Sequence, residues 1–391
     1  MKGNKISIIG GGIIGTSIAY YLSKQGADVI LIEKGDIASG SSSSCSGAVM
    51  MQSKGLGPKF LLALESRKIL KKLSDELNED IEYQEEGGMI VAENDEELNY
   101  ITTLAKAQKE LGLPVEILNS KQFKEKQPAL SKHILASTFC PLDGKVNPLK
   151  MSFAFSKAAI NNGARILTYT EMKEIKVNNY KISAIITDRG KINTDILINA
   201  AGAWAPQIAK MLNIEIPIFP RRGILIVTEP VAKVVNGSIL SAKYLMSKYT
   251  GKNSVKQPNQ KFQLKGGGLA LRHSKEGNLI FGSSRDFVGF NTETPFYLIN
   301  AIIREALRIL PGIEDIKVIR TFAGFRPYTP DAMPILGKIN NLRGFIMAAG
   351  HEGDGVALAP ITGKIVADYV IKGKGFKKIE PLTLERFSRD K

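Results

Sequence analysis

A glycine-rich turn between two β-branched runs limits the possible folds of this chain more than any other stretch of its sequence. Residues 5–10 (KISIIG) read as a strand, residues 15–26 (GTSIAYYLSKQG) as a helix that Gly26 ends, and residues 28–33 (DVILIE) as a second strand. Strand, turn, helix and strand in this order predict one βαβ unit, which begins a parallel sheet.

The same stretch is apolar enough to suggest an export signal or a membrane anchor. However, Ile6–Leu22 is shorter than the roughly 20 residues of a membrane helix. Its four glycines weaken an inserted helix, and no cleavage site of small residues follows the apolar run. The sequence therefore favours a ligand pocket over either alternative.

The glycine spacing Gly10-x-Gly12-x-x-Gly15 is typical of a dinucleotide site. Gly10 permits a tight turn, Gly12 allows the backbone to approach a pyrophosphate, and Gly15 allows close packing of helix and strand. The helix N-terminus offers free N–H groups to phosphates. Glu33 ends the second strand at the position where an acid accepts hydrogen bonds from ribose hydroxyls.

Composition narrows the class of protein further. With 391 residues, 43% of them hydrophobic, the chain is long enough for two domains. Cys45 and Cys140 are its two cysteines and form no CxxC motif, so the sequence predicts no disulfide framework and no metal site, and a cytoplasmic location. The net charge of +15 is spread over many lysines. We therefore expect no nucleic-acid binding, while contact with an anionic membrane surface stays open.

Beyond the βαβ unit, the pattern alternates between two kinds of segment. Small residues at 37–57 favour cofactor contact over a linker, and a helix is predicted over residues 59–78. Residues 81–143 carry no nucleotide signal and indicate a second domain. The chain then returns to the first domain with a helix, a turn, a hairpin and a buried strand that ends in NAAGAW (199–204).

The last part of the chain contains a strand-rich region and a second glycine turn. Residues 224–317 are predicted to be mostly strands, and the Lys-, Gln- and Gly-rich stretch 246–268 is predicted to be disordered. Residues 345–371 again read strand, glycine turn and helix. Since no second G-x-G-x-x-G motif occurs in this context, we expect one dinucleotide site and no separate NAD(P)H site.

Several motifs in series resemble one enzyme family, the FAD-dependent D-amino acid oxidases, glycine oxidases, sarcosine oxidases and related amino acid dehydrogenases. The matching motifs, in family order, are IIGGGIIGTSIAYYL, LIEKG, ASG, GKVNP, NAAGAWAP, PRRG, GFRPYTPDAMPILG and GHEGDGVALAPITG. The segments 47–55 and 279–290 are most similar to the FAD-carrying beta subunit of heteromeric dye-linked dehydrogenases, such as D-hydroxyproline dehydrogenase, opine oxidase and hydrogen cyanide synthase.

The resemblance implies an α/β fold with two domains. A Rossmann-like FAD-binding domain of the glutathione-reductase type would comprise residues 1–80, 145–223 and 318–391. A second, α+β substrate domain with a mixed, mostly antiparallel sheet would comprise residues 81–144 and 224–317.

The resemblance also assigns residues to the cofactor and to the substrate. The predicted FAD contacts are Gly10, Gly12, Ile13, Ile14, Gly15, Glu33, Lys34, Ser41, Ser42, Gly47, Met172, Ala201, Gly202, Trp204, Gly350, Gly353, Gly355 and Val356. The predicted catalytic residues are Arg326, which would pair with a substrate carboxylate, and His351, for which contact with the backbone or flavin is favoured over a general-base role. Met51, Tyr244 and Tyr249 complete the predicted substrate pocket.

Two departures from family patterns bear on the substrate and on the cofactor. Glycine oxidase carries a second arginine within its equivalent of GHEGDG, whereas this chain has Glu352, Gly353 and Asp354 there, which argues against glycine. Monomeric sarcosine oxidase attaches FAD through a cysteine near its equivalent of GFRPYTPD. This chain has no cysteine there, so we expect non-covalent FAD.

The expected activity is FAD-dependent oxidation of an amino or imino acid by hydride transfer from Cα to flavin N5. A D-proline-like or other secondary amine is favoured, with partner subunits that accept electrons or a homo-oligomer. One alternative is an oxidase of glycine, sarcosine or D-amino acids that produces peroxide. Alternatives of another class are an RNA-linked flavoprotein and a subunit in which FAD is only structural.

Overall fold

The computed structural model describes residues 3–249, 268–339, 342–373 and 379–387. Its strands are β1 (Lys5–Ile9), β2 (Asp28–Ile32), β3 (Ala48–Val49), β4 (Gln84–Glu85), β5 (Gly88–Ala92), β6 (Glu116–Asn119), β7 (Ala136–Cys140), β8 (Gly144–Lys145), β9 (Arg165–Leu167), β10 (Met172–Asn178), β11 (Lys181–Thr187), β12 (Gly190–Asn193), β13 (Ile196–Asn199), β14 (Phe219–Pro230), β15 (Ser238–Ser241), β16 (Ala270–His273), β17 (Asn278–Gly282), β18 (Val318–Tyr328), β19 (Ile335–Lys338) and β20 (Phe345–Ala349). Its α-helices are α1 (Ile13–Lys24), α2 (Pro58–Leu77), α3 (Asp95–Glu110), α4 (Ser120–Lys126), α5 (Pro148–Asn161), α6 (Ala205–Lys210), α7 (Ala242–Tyr249), α8 (Phe296–Ile309) and α9 (Gly355–Lys372).

The first sheet is parallel except at one edge. Its strand order is β19-β20-β13-β1-β2-β9, and only the β19–β20 pair is antiparallel. Helices α1, α5 and α9 pack on one face, where Ser17 of α1 donates a hydrogen bond of 2.8 Å to the Ala359 carbonyl of α9. The antiparallel sheet β10-β11-β12 covers the other face. Burial on both faces explains why the central strands are almost wholly apolar.

The second sheet is mixed and mostly antiparallel. Its order is β18-β14-β17-β16-β15-β5-β7-β6, in which only β15 and β5 pair in parallel. Helix α8 packs on one face through residues at helical spacing, including Leu298, Ile302 and Ala306. Helices α3 and α7 cover part of the opposite face through Ile101 and Leu245. These two sheets confirm the predicted combination of a Rossmann-like domain and an α+β domain.

The second sheet uses more of the chain than the sequence predicted. The predicted boundary between residues 223 and 224 falls inside β14, which pairs along its length with β18. Residues 318–328, assigned from the sequence to the FAD-binding domain, therefore form a strand of the second sheet. β14 crosses the predicted boundary and β18 begins at the next one, because the two strands pair from Phe219 with Tyr328 to Thr228 with Val318.

One predicted loop lies largely outside the described residues. Of the stretch 246–268, residues 246–249 belong to α7, and residues 250–267 are not described. In the part of the chain for which coordinates are described, no helix is both long and apolar enough to cross a membrane.

Candidate functional site

A cavity of about 410 Å³ lies between the two sheets, at the carboxyl ends of the parallel strands. The segments that follow β1, β2, β13 and β20 all contribute to its lining, as do β14, β16 and β18 of the second sheet. Open α/β sheets bind ligands at this end, because the loops there converge and helix N-termini point toward it. The cavity is therefore the candidate functional site.

One side of the cavity, here called the glycine wall, comprises Gly10, Gly12, Glu33 and Ser42. Gly10 has φ +112°, and a Cβ atom there would lie 2.6 Å from the Ala200 carbonyl oxygen. Such contacts leave room only for glycine. The first turn of α1 contains no acidic residue, so its positive end is open to an anion.

Side chains fix the loops of the glycine wall. Ser42 Oγ accepts a hydrogen bond of 2.9 Å from the Ile13 N–H, the first residue of α1. The Glu33 carboxylate accepts hydrogen bonds from the N–H groups of Gly11 (2.6 Å) and Gly35 (2.8 Å). A carboxylate has about four acceptor sites, so Glu33 keeps capacity for ligand hydroxyls at the end of β2.

The second glycine turn, between β20 and α9, meets the same cavity. Gly350 has φ +82°, and α9 starts at Gly355 with no acidic residue in its first turn. His351 is buried with its Nε2 3.1 Å from Thr362 Oγ1, and burial lowers the pKa of His351 to about 3. The imidazole is therefore uncharged at neutral pH and is oriented by the helix behind it.

The opposite side of the cavity, here called the charged wall, comprises Tyr244, Arg326 and Glu352. The Arg326 guanidinium donates a hydrogen bond of 3.1 Å to the Ser284 carbonyl and another to Ser283 Oγ. Its place depends on Gly223 across the β14–β18 pair, where a Cβ atom would lie 2.3 Å from Arg326 Nη1.

Arg326 has no carboxylate within ion-pair distance among the residues that the structure describes. Its hydrogen-bond acceptors among these residues are the Arg222 and Ser284 carbonyls and Ser283 Oγ, all of them uncharged. A cation in this state beside a cavity attracts an anion, and its planar fork suits a carboxylate.

Tyr244 lies in a strongly positive environment. The Arg285 guanidinium stacks 4.3 Å from the centre of its ring. Burial alone would raise the pKa of the Tyr244 phenol, but the positive charges of Arg285 and Arg326 outweigh it and lower the pKa to about 8. The hydroxyl therefore changes charge close to neutral pH.

Two buried carboxylates of the second glycine turn neutralise the cations behind the charged wall. Glu352 pairs with Arg221 and with Arg285, the latter at 3.1 Å. Burial would raise the pKa of Glu352, but Arg221 and Arg285 hold it well below its usual range.

Asp354 forms the centre of a second buried cluster. Its carboxylate pairs with Lys54 at 2.8 Å, Lys59 at 2.9 Å and Lys248 at 2.8 Å. These lysines come from the loop after β3, from the first turn of α2 and from the last turn of α7. Asp354 thus ties three elements to the turn that lines the cavity.

The structure places most of the predicted site residues around this one cavity. Those that line it are Gly10, Gly12, Ile13, Ile14, Glu33, Lys34, Ser41, Ser42, Met172, Ala201, Gly202, Trp204, Tyr244, Arg326, His351, Gly353, Gly355 and Val356. Gly15, Gly47 and Gly350 are instead required by close packing: Cβ atoms there would lie 1.9 Å from the Gly10 oxygen, 2.2 Å from the Val146 oxygen and 2.7 Å from Thr329 Cγ2, respectively.

Of the other predicted pocket residues, Met51 lies away from the cavity lining, and Tyr249 falls outside the described side chains. Met51 is fully buried in the core between the first sheet and its helices and does not line the cavity. Its backbone N–H donates to the buried Asp143, which fixes the loop at this position.

Sequence reasoning did not predict the ion-pair partners of Glu352 and Asp354, nor the position of the Cys45 thiol on the cavity. Arg221 was visible in the PRRG motif, but nothing in the sequence connects it with Glu352. Cys45 lines the cavity, and its Sγ donates to the Ser42 carbonyl at 3.3 Å. No group of three or more His, Cys, Asp or Glu side chains that could hold a metal ion occurs in the described ranges.

FAD fits the residues of this cavity. Two helices, α1 and α9, start at glycine turns on it, and neither has an acidic residue in its first turn. The glycine wall would hold the pyrophosphate and the ribose hydroxyls, and the second turn would face the flavin ring. With the Arg326 guanidinium on the same cavity, the fold and site define a flavin-dependent oxidoreductase.

Comparison with known proteins identifies the family. The family model described as "DAO: FAD dependent oxidoreductase" matches residues 5–369. The chain belongs to this family of FAD-dependent oxidoreductases, which act on amino and imino acids.

Three similar proteins match over nearly their full lengths. Glycine oxidase of Geobacillus kaustophilus is 27% identical over 388 residues, which cover 97% of this chain and 96% of the relative. Hydrogen cyanide synthase subunit HcnC of Pseudomonas aeruginosa is 26% identical, covering 98% and 96%. The crystal structure of L-proline dehydrogenase from P. horikoshii has a TM-score of 0.89 at 29% identity, covering 100% of this chain and 99% of that one.

Proposed function

We propose that this enzyme oxidises a proline-like secondary amino acid at its Cα–N bond, to give a cyclic imine. The observation that carries the proposal is Arg326, a guanidinium on the cavity with only uncharged acceptors among the described residues. A substrate carboxylate completes its hydrogen bonding and fixes the position of Cα. Bound FAD supplies the acceptor for the hydride that leaves Cα.

The protein orients the substrate, and the substrate nitrogen loses its proton without the help of a protein base. His351 is uncharged and held by Thr362, so it adds no positive charge that would oppose a developing iminium. While its phenol is protonated, Tyr244 can donate a hydrogen bond to the substrate carboxylate. The substrate therefore reacts as the neutral amine, and the rate is expected to rise as pH approaches the pKa of that amine.

One similarity and one difference support a proline-like substrate over glycine. The P. horikoshii structure is named for L-proline dehydrogenase and matches this chain from end to end. By resemblance, glycine oxidase carries a second arginine within its equivalent of GHEGDG, whereas this chain has Glu352, Gly353 and Asp354 there, and Glu352 is a buried carboxylate that pairs with two arginines. The sequence favoured a D-proline-like substrate and this neighbour is named for the L-enantiomer, so the proposal concerns the ring and both enantiomers enter the test.

We further propose that electrons leave through partner subunits rather than to oxygen. HcnC, which is 26% identical, is named as a subunit of hydrogen cyanide synthase. This similarity supports an assembly in which another polypeptide accepts the electrons.

The test is anaerobic mixing of the purified FAD-loaded protein with L-proline, D-proline, 4-hydroxyproline, sarcosine and glycine, followed by flavin absorbance. Reoxidation is then timed with air and with an artificial dye. We expect bleaching by one proline enantiomer, slow recovery in air and fast recovery with dye. Bleaching by glycine but by neither proline would overturn the substrate proposal, and fast recovery in air with release of peroxide would identify an oxidase.

A further inference from the structure

Glu352 lies at the cavity in an unusual position for a carboxylate. Its side chain is almost fully buried, yet it contributes to the lining beside Arg326. One carboxylate oxygen contacts both Arg221 and Arg285, and the other accepts from the Gly353 N–H. Lys248 Nζ lies 4.0 Å away.

The backbone at Glu352 is left-handed. Its φ is +55°, a conformation that favours glycine or asparagine, and its N–H donates to the Pro327 carbonyl at 3.1 Å. A glutamate is unfavourable there unless its side chain makes compensating contacts. The ion pairs with the two arginines are such contacts. The carboxylate, and not the backbone conformation, therefore accounts for a glutamate at this position.

Glu352 is the one carboxylate within ion-pair distance of Arg221 and Arg285 among the described residues. The two guanidiniums otherwise stack on aromatic rings, Arg221 on Tyr328 and Arg285 on Tyr244, each at 4.3 Å. The Nε of each is buried without an acceptor in the described ranges. Both cations therefore depend on this carboxylate for neutralisation.

The three arginines Arg221, Arg285 and Arg326 thus differ in whether the protein supplies a carboxylate partner. Arg221 and Arg285 already bind a carboxylate that the protein supplies, whereas Arg326 has only uncharged acceptors. Arg221 and Arg285 contact the cavity-lining Glu352 but do not line the cavity themselves. Without the charge of Glu352, these two guanidiniums would lack a carboxylate and could attract a second ligand carboxylate into the cavity. With it, one carboxylate position is available.

We propose that Glu352 is a specificity-determining residue, whose carboxylate occupies Arg221 and Arg285 so that the cavity accepts ligands with one carboxylate and rejects those with two. The inference rests on the proposed function, because it takes Arg326 as the carboxylate site. It selects amino acids with an uncharged side chain or ring over acidic ones, since a second carboxylate would meet the like charge of Glu352.

Calorimetry with two ring-matched ligands tests this inference on the FAD-loaded protein without turnover. In the wild type, pyrrole-2-carboxylate should bind at least about tenfold more tightly than pyrrole-2,5-dicarboxylate. Glu352→Gln should shift the ratio of the two dissociation constants by about tenfold or more toward the dicarboxylate. Glu352→Asp keeps the charge and should keep the wild-type preference for the monocarboxylate.

Two results would overturn the inference. One is equal or tighter binding of the dicarboxylate by the wild type, which needs no variant and so holds even if Glu352→Gln does not fold. The other is a folded Glu352→Gln protein with an unchanged ratio. Failure of the proposed function is measured separately, as absence of flavin reduction by proline. That result does not change the ratio of the two dissociation constants.

Discussion

The glycine wall and the charged wall face the same cavity but are built from different parts of the chain. All residues of the glycine wall lie between positions 10 and 42, on consecutive segments of one βαβ unit and the loop after it. The charged wall combines residues of α7, β18 and the turn before α9, between positions 244 and 352. Local sequence thus determines the first wall, and the meeting of distant elements determines the second.

The two walls also recognise ligands by different means. The glycine wall offers backbone N–H groups and a helix end, so the absence of side chains is what makes it work. The charged wall presents the guanidinium of Arg326, and the cations packed behind the wall are buried favourably only because Glu352 and Asp354 neutralise them. Its substitutions should therefore have larger effects.

The largest expected effect is on stability, from Asp354→Asn. Three buried ammonium groups, of Lys54, Lys59 and Lys248, would lose their shared carboxylate. Removing one partner of a buried pair costs about 3–5 kcal/mol, so we expect a decrease of this size in the free energy of unfolding, measured by urea denaturation of the FAD-loaded protein.

Asp368→Asn, on the helix α9 that follows Asp354, is the matched control. Asp368 pairs with Lys364 at 2.9 Å and with Lys372 at 2.8 Å, but both lysines are about half exposed. Exposed pairs contribute at most about 1 kcal/mol. Equal decreases in the free energy of unfolding from the two substitutions would show that the buried ion pairs of Asp354 stabilise the protein no more than the exposed pairs of Asp368 do.

The next largest effect is expected from Arg326→Ala. Loss of the substrate's carboxylate partner should lower kcat/KM by about a hundredfold or more and leave the FAD content unchanged, as steady-state kinetics and the flavin spectrum will show. Arg320→Ala, at an exposed position of the same strand, is the control. If kcat/KM of the Arg326 variant stays within about threefold of the control, the carboxylate site lies elsewhere.

The sequence predicted the glycine wall more completely than the charged wall, for a physical reason. Gly10, Gly12 and Glu33 act within one βαβ unit, so their spacing alone determines where they meet. Glu352 and Arg221 are 131 residues apart, in a chain with 53 basic and 38 acidic residues. Sequence alone gives no rule for choosing that pair.

Boundaries and packing were predicted less well than motifs. The boundary at residue 223 divides β14, because the pairing of β14 with β18 extends beyond the segment whose composition marks it as strand-rich. Met51 was expected in the pocket, but its side chain lies in the core, and its N–H donates to Asp143. Side-chain direction in an irregular loop depends on such contacts, which the sequence does not reveal.

Gly15→Ala tests the glycine wall. The added methyl group would lie 1.9 Å from the Gly10 oxygen, and backbone atoms cannot move aside without altering the turn. Overpacking of this kind costs about 1–3 kcal/mol, so we expect roughly ten- to hundredfold weaker FAD binding in a titration of the apoprotein. Gly312→Ala is the control, because nothing lies within 4 Å of a Cβ there and its φ is −86°. Similar FAD affinity in both variants would contradict the requirement for glycine.

The smallest expected effect is a pH dependence that belongs to the charged wall. The Tyr244 phenol, with a pKa of about 8, is neutral at pH 7 and ionised at pH 9. The phenolate would compete with a ligand carboxylate for Arg326. The dissociation constant of pyrrole-2-carboxylate, whose ring nitrogen is not basic, should therefore rise about tenfold between these pH values in the wild type.

Tyr244→Phe removes the ionising group and should limit that rise to less than about twofold. A steep rise in the variant as well would assign the titration to another group. FAD retention is measured in the same samples, because the glycine wall binds the cofactor without Tyr244. Loss of FAD in parallel with weaker ligand binding would mean that the two walls respond to pH together, and the effect could no longer be assigned to the charged wall alone.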